Sequence, residues 1–161
     1  MASNGNNTLL KGIPSIGDAF IVIVKTEWNS KYVDELEKGC LNILNSLNIK
    51  TKTITVPGAV EIPFAIQRFA KTAAHKADAF IALGTVVKGD TPHFDYVCNA
   101  VTNGIVLLNN ELSIPTIFGI LTVLNEQQII ERLGGKHGHK GEEAAITALK
   151  MIAFNQSLLV K

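Results

Sequence analysis

A histidine, an arginine and a glycine-containing turn occupy places in the sequence where they could transfer protons and bind an anion. His93 follows the turn Gly89-Asp90-Thr91, and Arg132 lies further along the chain. Histidine titrates near neutral pH and can both accept and donate a proton. Backbone N–H groups at a helix start attract anions, and arginine binds phosphate through paired hydrogen bonds. This combination predicts proton transfer beside a bound phosphate group.

Two further side chains could hold an aromatic ligand that carries hydroxyl groups. Trp28 offers a flat ring face, and Glu61 can accept hydrogen bonds from hydroxyls. Each has an ordinary alternative, since a tryptophan after a strand is more often packed and a glutamate favours a helix N-terminus. Similarly, Arg132 could serve only the end of a short helix, and His93 by itself is more often structural. Their convergence on one edge of a sheet favours a functional site.

A metal site is an alternative that the sequence disfavours. His137 and His139 stand in a glycine-rich turn, where histidines are usually solvated. Iron enzymes with two histidine ligands and one carboxylate ligand could be suggested by His93, Asp95 and His137. However, Asp95 has the position of a helix-start residue, and the sequence has no jelly-roll pattern. P-loop, GxGxxG, GxSxG and HExxH motifs do not occur. We therefore expect no metal site, and the sequence carries none of these nucleotide-binding motifs.

Strand and helix patterns alternate along the chain, and these elements must position the candidate residues. Apolar or alternating runs predict strands over 19–24, 52–56, 79–83 and 116–121. Apolar residues spaced three and four apart, with start and stop signals, predict helices near 33–47, 62–73, 95–111, 125–132 and 141–156. This order predicts an α/β fold of three layers, a mainly parallel four-stranded sheet with helices on both faces. Ligands bind at the carboxyl ends of such strands, where the candidate residues fall.

The short fourth helix has distinct boundary signals. Asn125 with Gln128 three residues later forms a capping-box pattern. Gly134 and Gly135 are expected to end this helix. The final helix carries small residues at Ala144, Ala145 and Ala148, a face suited to close packing.

Length and composition predict one apolar domain that associates with itself. The chain has 161 residues, of which 47% are hydrophobic and 18% charged, with a formal net charge of +1. The charged fraction lies below the usual value of roughly 25%, so apolar surface is available for subunit interfaces. Near-neutral charge without a basic run excludes the electrostatic signature of nucleic-acid binding. We divide the chain into an N-terminal arm over 1–16 and a single domain over 17–161.

Cysteine use and hydropathy indicate a cytoplasmic protein that does not enter membranes. Cys40 and Cys98 lie in helical apolar patterns, which favours reduced thiols in the core. No run approaches the roughly 20 apolar residues of a membrane span. The polar N-terminus lacks the pattern of a signal peptide.

Four sequence blocks together resemble lumazine synthase. They are VPGAVEIP at 56–63, GTVVKGDTPHFDYV at 84–97, PTIFGILT at 115–122, and ER at 131–132 followed by KGEEAA at 140–145. The similarity runs in order from about Ala19 to Ile152. It implies strands in the flavodoxin-like order and a transferase of riboflavin biosynthesis. Such an enzyme condenses 5-amino-6-ribitylaminouracil with 3,4-dihydroxy-2-butanone 4-phosphate to 6,7-dimethyl-8-ribityllumazine, releasing phosphate and water and using no cofactor.

The resemblance also implies a role for each matching residue. His93 is the general acid and base, and Trp28 stacks on the pyrimidine ring. Ring and ribityl chain are bound by Ala59, Val60 and Glu61, with Thr85, Val86 and Val87 beneath the ring. Phosphate is bound by Asp90, Thr91 and Arg132. Phe118 reaches the ring from a neighbouring subunit, and Lys140 is a further basic position. Departures are the acidic Asp90 where many relatives have a small residue, Pro92 before the histidine, and Trp28 in place of the commoner phenylalanine.

The family also implies assembly. Its members form pentamers with active sites between adjacent subunits, sometimes packed into an icosahedral capsid, and riboflavin synthase is a candidate partner. Two alternatives stay open at this point. One is a flavin-binding or shell-forming scaffold of the same fold without turnover, and the other is an unrelated doubly wound nucleotide-binding module.

Overall fold

The structure, a computed structural model, describes residues 12–13 and 16–158. Its strands are β1 (Phe20–Thr26), β2 (Lys50–Val56), β3 (Ala79–Val87), β4 (Thr116–Val123), β5 (Leu133–Gly135) and β6 (Gly138–His139). Its helices are α1 (Ser30–Ser46), α2 (Ile62–Thr72), α3 (His93–Glu111), α4 (Glu126–Ile130) and α5 (Lys140–Ser157), with a 3₁₀ turn at Ala59–Glu61. Most of the predicted 1–16 arm, namely 1–11, 14 and 15, lies outside the described residues, as do 159–161.

Four parallel strands form the central sheet in the order β2-β1-β3-β4. The register pairs Phe20 with Lys50 across β1 and β2, and Phe80 with Thr116 across β3 and β4. The chain passes from β1 to β2 on one side, and then returns to place β3 on the other side of β1. The predicted α/β fold with flavodoxin-like strand order is therefore confirmed, and the switch in direction lies between β1 and β3.

Helices cover both faces of this sheet and create two apolar clusters. Odd-numbered residues of β1 and β3, such as Ile21 and Ile81, pack with α1 and α5, while even-numbered ones, such as Val22 and Phe80, pack with α2 and α3. Both central strands are buried on both sides, which explains their continuous apolar runs. Among the described residues, none of the helices has the length and hydropathy needed to cross a bilayer.

Element boundaries differ from the sequence predictions where functional residues lie. Strand β3 continues beyond Leu83 to Val87, because the β-branched residues that follow keep pairing with β4 as far as Val123. Helix α3 begins at His93, two residues before the predicted start. Extending the strand and starting the helix earlier shortens the connection between them to residues 88–92.

The region after β4 also differs in part from the prediction. Asn125 starts α4 as predicted, and its Oδ1 accepts a hydrogen bond from the Gln128 amide at 3.1 Å. Gln128 Oε1 accepts from the Leu124 amide instead of from Asn125. The helix ends by Ile130, and Gly134 and Gly135 belong to the antiparallel β5–β6 pair, which the sequence analysis did not predict.

Candidate active site

Trp28 lies at the carboxyl end of β1, beside the switch point between β1 and β3, where the strand order reverses. Its amide donates to the Pro57 carbonyl at 3.1 Å, and its carbonyl accepts from Thr26 Oγ1 at 3.1 Å. The indole is 66% exposed and packs against the Cα of Gly58, where a Cβ would lie 2.8 Å from Cε3 and Cζ3. Close approach therefore requires glycine at position 58, and the other ring face is open to solvent and available for stacking.

Glu61 ends the 3₁₀ turn that follows β2. Gly58 is extended and Ala59 is buried, while Val60 and Glu61 are exposed. A Cβ on Gly58 would lie 3.0 Å from Glu61 Oε2, which places the carboxylate beside the Trp28 ring. Within residues 16–158 no hydrogen bond or ion pair engages this carboxylate, so it can accept hydrogen bonds from a ligand.

Thr85, Val86 and Val87 form the carboxyl end of β3, on the other side of the switch point. Thr85 is buried, and the two valines are half-buried. The Thr85 carbonyl accepts a hydrogen bond from Asn29 Nδ2 at 2.7 Å. This bond connects the segment with the turn that carries Trp28, so the predicted ring-binding segments flank one crevice.

His93 is the first residue of α3 and is exposed, as are Asp90 and Thr91 in the preceding turn. Pro92 occupies the N-cap position, and no side chain caps the helix. The Asp90 carboxylate therefore does not cap α3. The helix start stays available to an anion, which its backbone N–H groups and dipole favour.

Cys98 lies on α3 near His93 and does not add a nucleophile. Burial, followed by the nearby Asp95 carboxylate, raises the pKa of its thiol. In α1, burial raises the pKa of Cys40 to about 12. Both thiols stay protonated at neutral pH and both are free, but only Cys40 lies in the core as predicted, since Cys98 is half-buried.

Phe118, Arg132 and Lys140 form a second group around the edge strand β4. Phe118 is exposed on β4 and lines an open groove of about 400 Å³ together with Lys140 and Glu143. The Lys140 ammonium contacts both Glu143 carboxylate oxygens, at 2.7 and 2.8 Å. Arg132 donates from Nη1 to the Gln128 carbonyl at 2.9 Å, and its own carbonyl accepts from the Lys140 amide.

The predicted residues fall into two groups according to the elements that carry them. We call the residues at the ends of β1, β2 and β3 the crevice group: Trp28, Ala59–Glu61, Thr85–Val87, Asp90, Thr91 and His93. Phe118, Arg132 and Lys140 are the edge group. In the part of the chain that the structure describes, no hydrogen bond or ion pair joins the two groups. Strand β4 is the outermost strand on its side of the sheet, and the groove lies between it and α5.

The two histidines of the β5–β6 region are half-buried, in contrast to the solvated positions expected. His137 Nε2 lies 3.7 Å from Glu131 Oε2, and the His139 ring packs against Gly39 of α1. Across residues 12–13 and 16–158, no three histidine, cysteine or carboxylate side chains gather closely enough to hold a metal ion. The triad of His93, Asp95 and His137 is therefore not assembled in the described chain.

Asn29 is the residue of the site that sequence reasoning missed. An asparagine before a helix predicts an N-cap, yet its side chain reaches β3 instead. Its left-handed backbone, with φ of 60°, cannot be inferred from the neighbouring residues.

Comparisons with known proteins agree on one family. A family model described as 6,7-dimethyl-8-ribityllumazine synthase matches residues 18–156. A protein of that name from Parabacteroides distasonis is 46% identical over 146 residues, covering 89% of this chain and 90% of the relative. Proteins of the same name from Phocaeicola vulgatus and Porphyromonas gingivalis are 44% and 45% identical over 149 residues. They cover 91% of this chain and 88% and 91% of their own lengths.

Proposed function

The chain belongs to the 6,7-dimethyl-8-ribityllumazine synthase family, and we propose that its active site combines the crevice group of one subunit with the edge group of another. The family predicted from the sequence motifs is confirmed by these matches. The enzyme is a transferase of riboflavin biosynthesis that condenses 5-amino-6-ribitylaminouracil with 3,4-dihydroxy-2-butanone 4-phosphate. Its substrates are small molecules, and its products are 6,7-dimethyl-8-ribityllumazine, phosphate and water.

The crevice group binds the aminouracil in this proposal. Trp28 stacks on the ring from one side, and Thr85, Val86 and Val87 line the other side. Backbone at Ala59 and Val60 approaches the ring and ribityl chain closely, and the Glu61 carboxylate accepts hydrogen bonds from ribityl hydroxyls. The open indole face and the position of the carboxylate beside it support these roles.

His93 moves the protons. Imine formation, phosphate elimination and ring closure each require a proton to be given or taken, and one histidine near neutral pH can do so in turn. Its exposed position at the start of α3 supports this role, because the same helix start, with Asp90 and Thr91, can hold the phosphate of the second substrate. Holding both substrates side by side supplies much of the remaining acceleration.

The edge group completes the site from the adjacent subunit. Arg132 binds the phosphate through charge-assisted hydrogen bonds, and Phe118 contacts the ring. Lys140, whose ammonium is paired with Glu143, is the further basic residue of this group. The observation that carries the proposal is that, within residues 12–13 and 16–158, no hydrogen bond or ion pair joins Arg132 to His93 or to the rest of the crevice group, whereas its Nη1 donates to the Gln128 carbonyl.

Two single variants test the roles of His93 and Arg132. His93→Ala should lower kcat by about 10²–10⁴-fold with little change in KM. Arg132→Ala should raise KM for the phosphate substrate roughly 10- to 100-fold, the value of hydrogen bonds to a charged group. Both are measured by the absorbance of the lumazine product. A loss of aminouracil binding alone in Arg132→Ala would contradict its placement.

Mixed oligomers test the division between subunits. Co-expression of His93→Ala and Arg132→Ala chains should give about a quarter of the sites two intact groups, because each site draws on two chains. At a phosphate-substrate concentration well below KM, where the Arg132→Ala defect limits the rate, activity should then exceed that of either variant alone. Co-expression of His93→Ala with Trp28→Ala is the matched control, since both changes fall in the crevice group and no site is restored. Equal activities in the two mixtures would refute a shared site.

Several finer expectations belong to the same proposal. The chain forms one domain over 17–161, and its oligomer is a pentamer that can pack into an icosahedral capsid. Large exposed apolar side chains on α2, α3 and β4, including Phe64, Leu107 and Phe118, support self-association. Riboflavin synthase as a partner and the cytoplasm as the location stay predictions from the sequence.

A further inference from the structure

Asn29 has an unusual backbone and an unusual partner for the residue before a helix. It adopts φ 60° and ψ 33°, in the left-handed region, and its side chain makes no capping hydrogen bond to α1. Its carbonyl accepts from the amides of Tyr32 and Val33, at 2.9 and 3.1 Å, and so starts the helix. An asparagine at this place ordinarily uses its side-chain oxygen to cap the helix. Here the side chain is directed elsewhere.

That side chain bridges two strand ends that have stopped pairing. The β1–β3 ladder ends at Lys25 and Leu83. Beyond it, Asn29 Nδ2 donates to the Thr85 carbonyl at 2.7 Å, across 56 positions of sequence, in a partly buried hydrogen bond. The bridge spans the crevice at the switch point of the sheet, where ligands of such folds bind.

Two requirements explain why residue 29 is asparagine: a left-handed backbone and a side-chain N–H donor that reaches Thr85. Glycine, asparagine and aspartate enter the left-handed region more readily than other residues. Of these three, only asparagine carries an N–H donor on its side chain. Glycine would fit the backbone without reaching Thr85, and an ionised aspartate would present oxygen to a carbonyl oxygen.

We propose that Asn29 is a positioning residue that sets the distance between Trp28 and the Thr85–Val87 segment. This inference rests on the proposed function, in which those two segments contact opposite sides of the aminouracil ring. Trp28 is already tied to β2 through Pro57 and to β1 through Thr26. The Asn29 amide adds the connection to β3, so the crevice keeps a fixed width before the substrate arrives. It touches no reacting atom, and its effect is on binding.

The test is a comparison of Asn29→Asp with Asn48→Asp. Asn48 is the other described residue besides glycine with a positive φ, 56°, and it lies in the exposed turn after α1. Both changes place aspartate in the same backbone conformation, but only the first removes the bridge. We expect Asn29→Asp to raise KM for the aminouracil roughly three- to tenfold, the effect of one hydrogen bond. Its kcat and its KM for the phosphate substrate should stay within about twofold, and Asn48→Asp should match the parent.

Trp28 supplies a second readout, since it is the only tryptophan of the chain. Its fluorescence anisotropy in the substrate-free protein should fall in Asn29→Asp and stay unchanged in Asn48→Asp. If Asn29→Asp does not fold, Asn29→Gly keeps the backbone, lacks the donor and must show the same KM increase. An unchanged aminouracil KM in a folded variant, or a loss confined to kcat, would overturn the positioning role.

Trp28→Ala separates this inference from the proposed function. If Trp28→Ala raises the aminouracil KM and Asn29→Asp does not, the crevice is the binding site and the Asn29 inference is wrong. If neither variant changes that KM, the assignment of the crevice is itself wrong.

Discussion

Gly58 has no Cβ, and this permits the indole of Trp28 to lie against the backbone. The Trp28 ring and the Glu61 carboxylate both lie beside the place that a Gly58 Cβ would take, at 2.8 and 3.0 Å from it. A methyl group there would meet both. The position therefore adjoins both side chains that we propose to bind the aminouracil, although Gly58 itself offers no side chain to a ligand.

Gly58→Ala should weaken aminouracil binding without unfolding the protein. The new Cβ would lie 2.8 Å from Trp28 carbons, and the exposed indole can move away at small cost. Losing one stacking contact should raise KM for the aminouracil roughly five- to tenfold. Steady-state kinetics with the phosphate substrate saturating measures this change.

Gly17→Ala is the control for that variant. A Cβ at Gly17 meets nothing within 4 Å, so neither KM nor the unfolding temperature should change. An unaltered KM in Gly58→Ala would mean that the position of the indole against Gly58 does not matter for binding.

Residue types could be predicted from the sequence, whereas contacts between them could not. Trp28, Glu61 and His93 are predicted site residues because each follows a predicted strand, and Glu61 and His93 also lie in blocks that match a family. The bridge from Asn29 depends on a backbone dihedral and on where β1 and β3 stop pairing, and neither leaves a local pattern. The half-buried His139 was missed for a similar reason, since its neighbour Gly39 lies in a distant helix.

At the scale of elements, α1 and α5 approach each other at two glycines. Gly39 of α1 receives the ring of His139, and a Cβ on Gly141 would lie 1.9 Å from the Leu36 carbonyl oxygen. Small alanines at the start of α5 continue the contact. The apolar spacing predicted both helices, and the small-residue face predicted close packing of α5. Identifying α1 as its partner required the three-dimensional structure.

Gly141→Ala should destabilise the fold strongly. The obstacle is backbone of α1 and not a movable side chain, so the two helices must separate. Overpacking of this kind costs about 2–3 kcal/mol, and more where the backbone cannot yield. Urea unfolding followed by circular dichroism measures it, with Gly17→Ala expected to match the parent. A loss below about 0.5 kcal/mol, typical of a surface change, would show that α5 shifts freely.

Helix α4 is tied to α1 through Glu126. Its carboxylate accepts hydrogen bonds from the Tyr32 hydroxyl and from Lys31 Nζ, the latter at 3.2 Å. The Tyr32 hydrogen bond, followed by that of Lys31, lowers the pKa of Glu126 below 4.5. A carboxyl with a lower pKa in the folded state stabilises that state above its unfolded pKa, and this contribution is lost as the pH falls through the folded pKa.

Glu126→Gln should therefore lower the free energy of unfolding slightly at neutral pH. The difference from the parent should shrink as the pH falls from 4.5 through the lower pKa of the folded state, because the Glu126 carboxyl becomes protonated over that range. Urea titrations at several pH values measure both effects. Tyr32→Phe removes one donor and should reproduce part of the loss. A difference that grows on acidification would contradict the assigned direction of the shift.

At the scale of the whole molecule, the apolar composition corresponds to specific exposed side chains. Leu107 is 57% exposed and Tyr96 is 73% exposed, both on the outer helix α3. Apolar surface of this kind on an enzyme with an open crevice is typical of a subunit interface. The proposed pentamer would bury this apolar surface and close the crevice at the same time.

Leu107→Glu should weaken the oligomer. The parent is expected to sediment as a species several times heavier than its chain mass of 17.4 kDa. A buried carboxylate without a partner opposes association, so the variant should shift toward 17.4 kDa and lose activity with dilution. Analytical ultracentrifugation over a concentration series measures the shift. A parent that sediments as a monomer and remains active would refute the shared site.

The pairing of α1 with α5 has a consequence for how the protein is made. One of its two apolar clusters unites the first helix with the last, so ribosomal synthesis must reach the end of α5 before that side of the sheet can be covered. The opposite face needs only α2 and α3, which are translated earlier. During translation, one apolar face of β1 and β3 would therefore be covered by α1 alone until α5 is made, an opportunity for chaperones to bind.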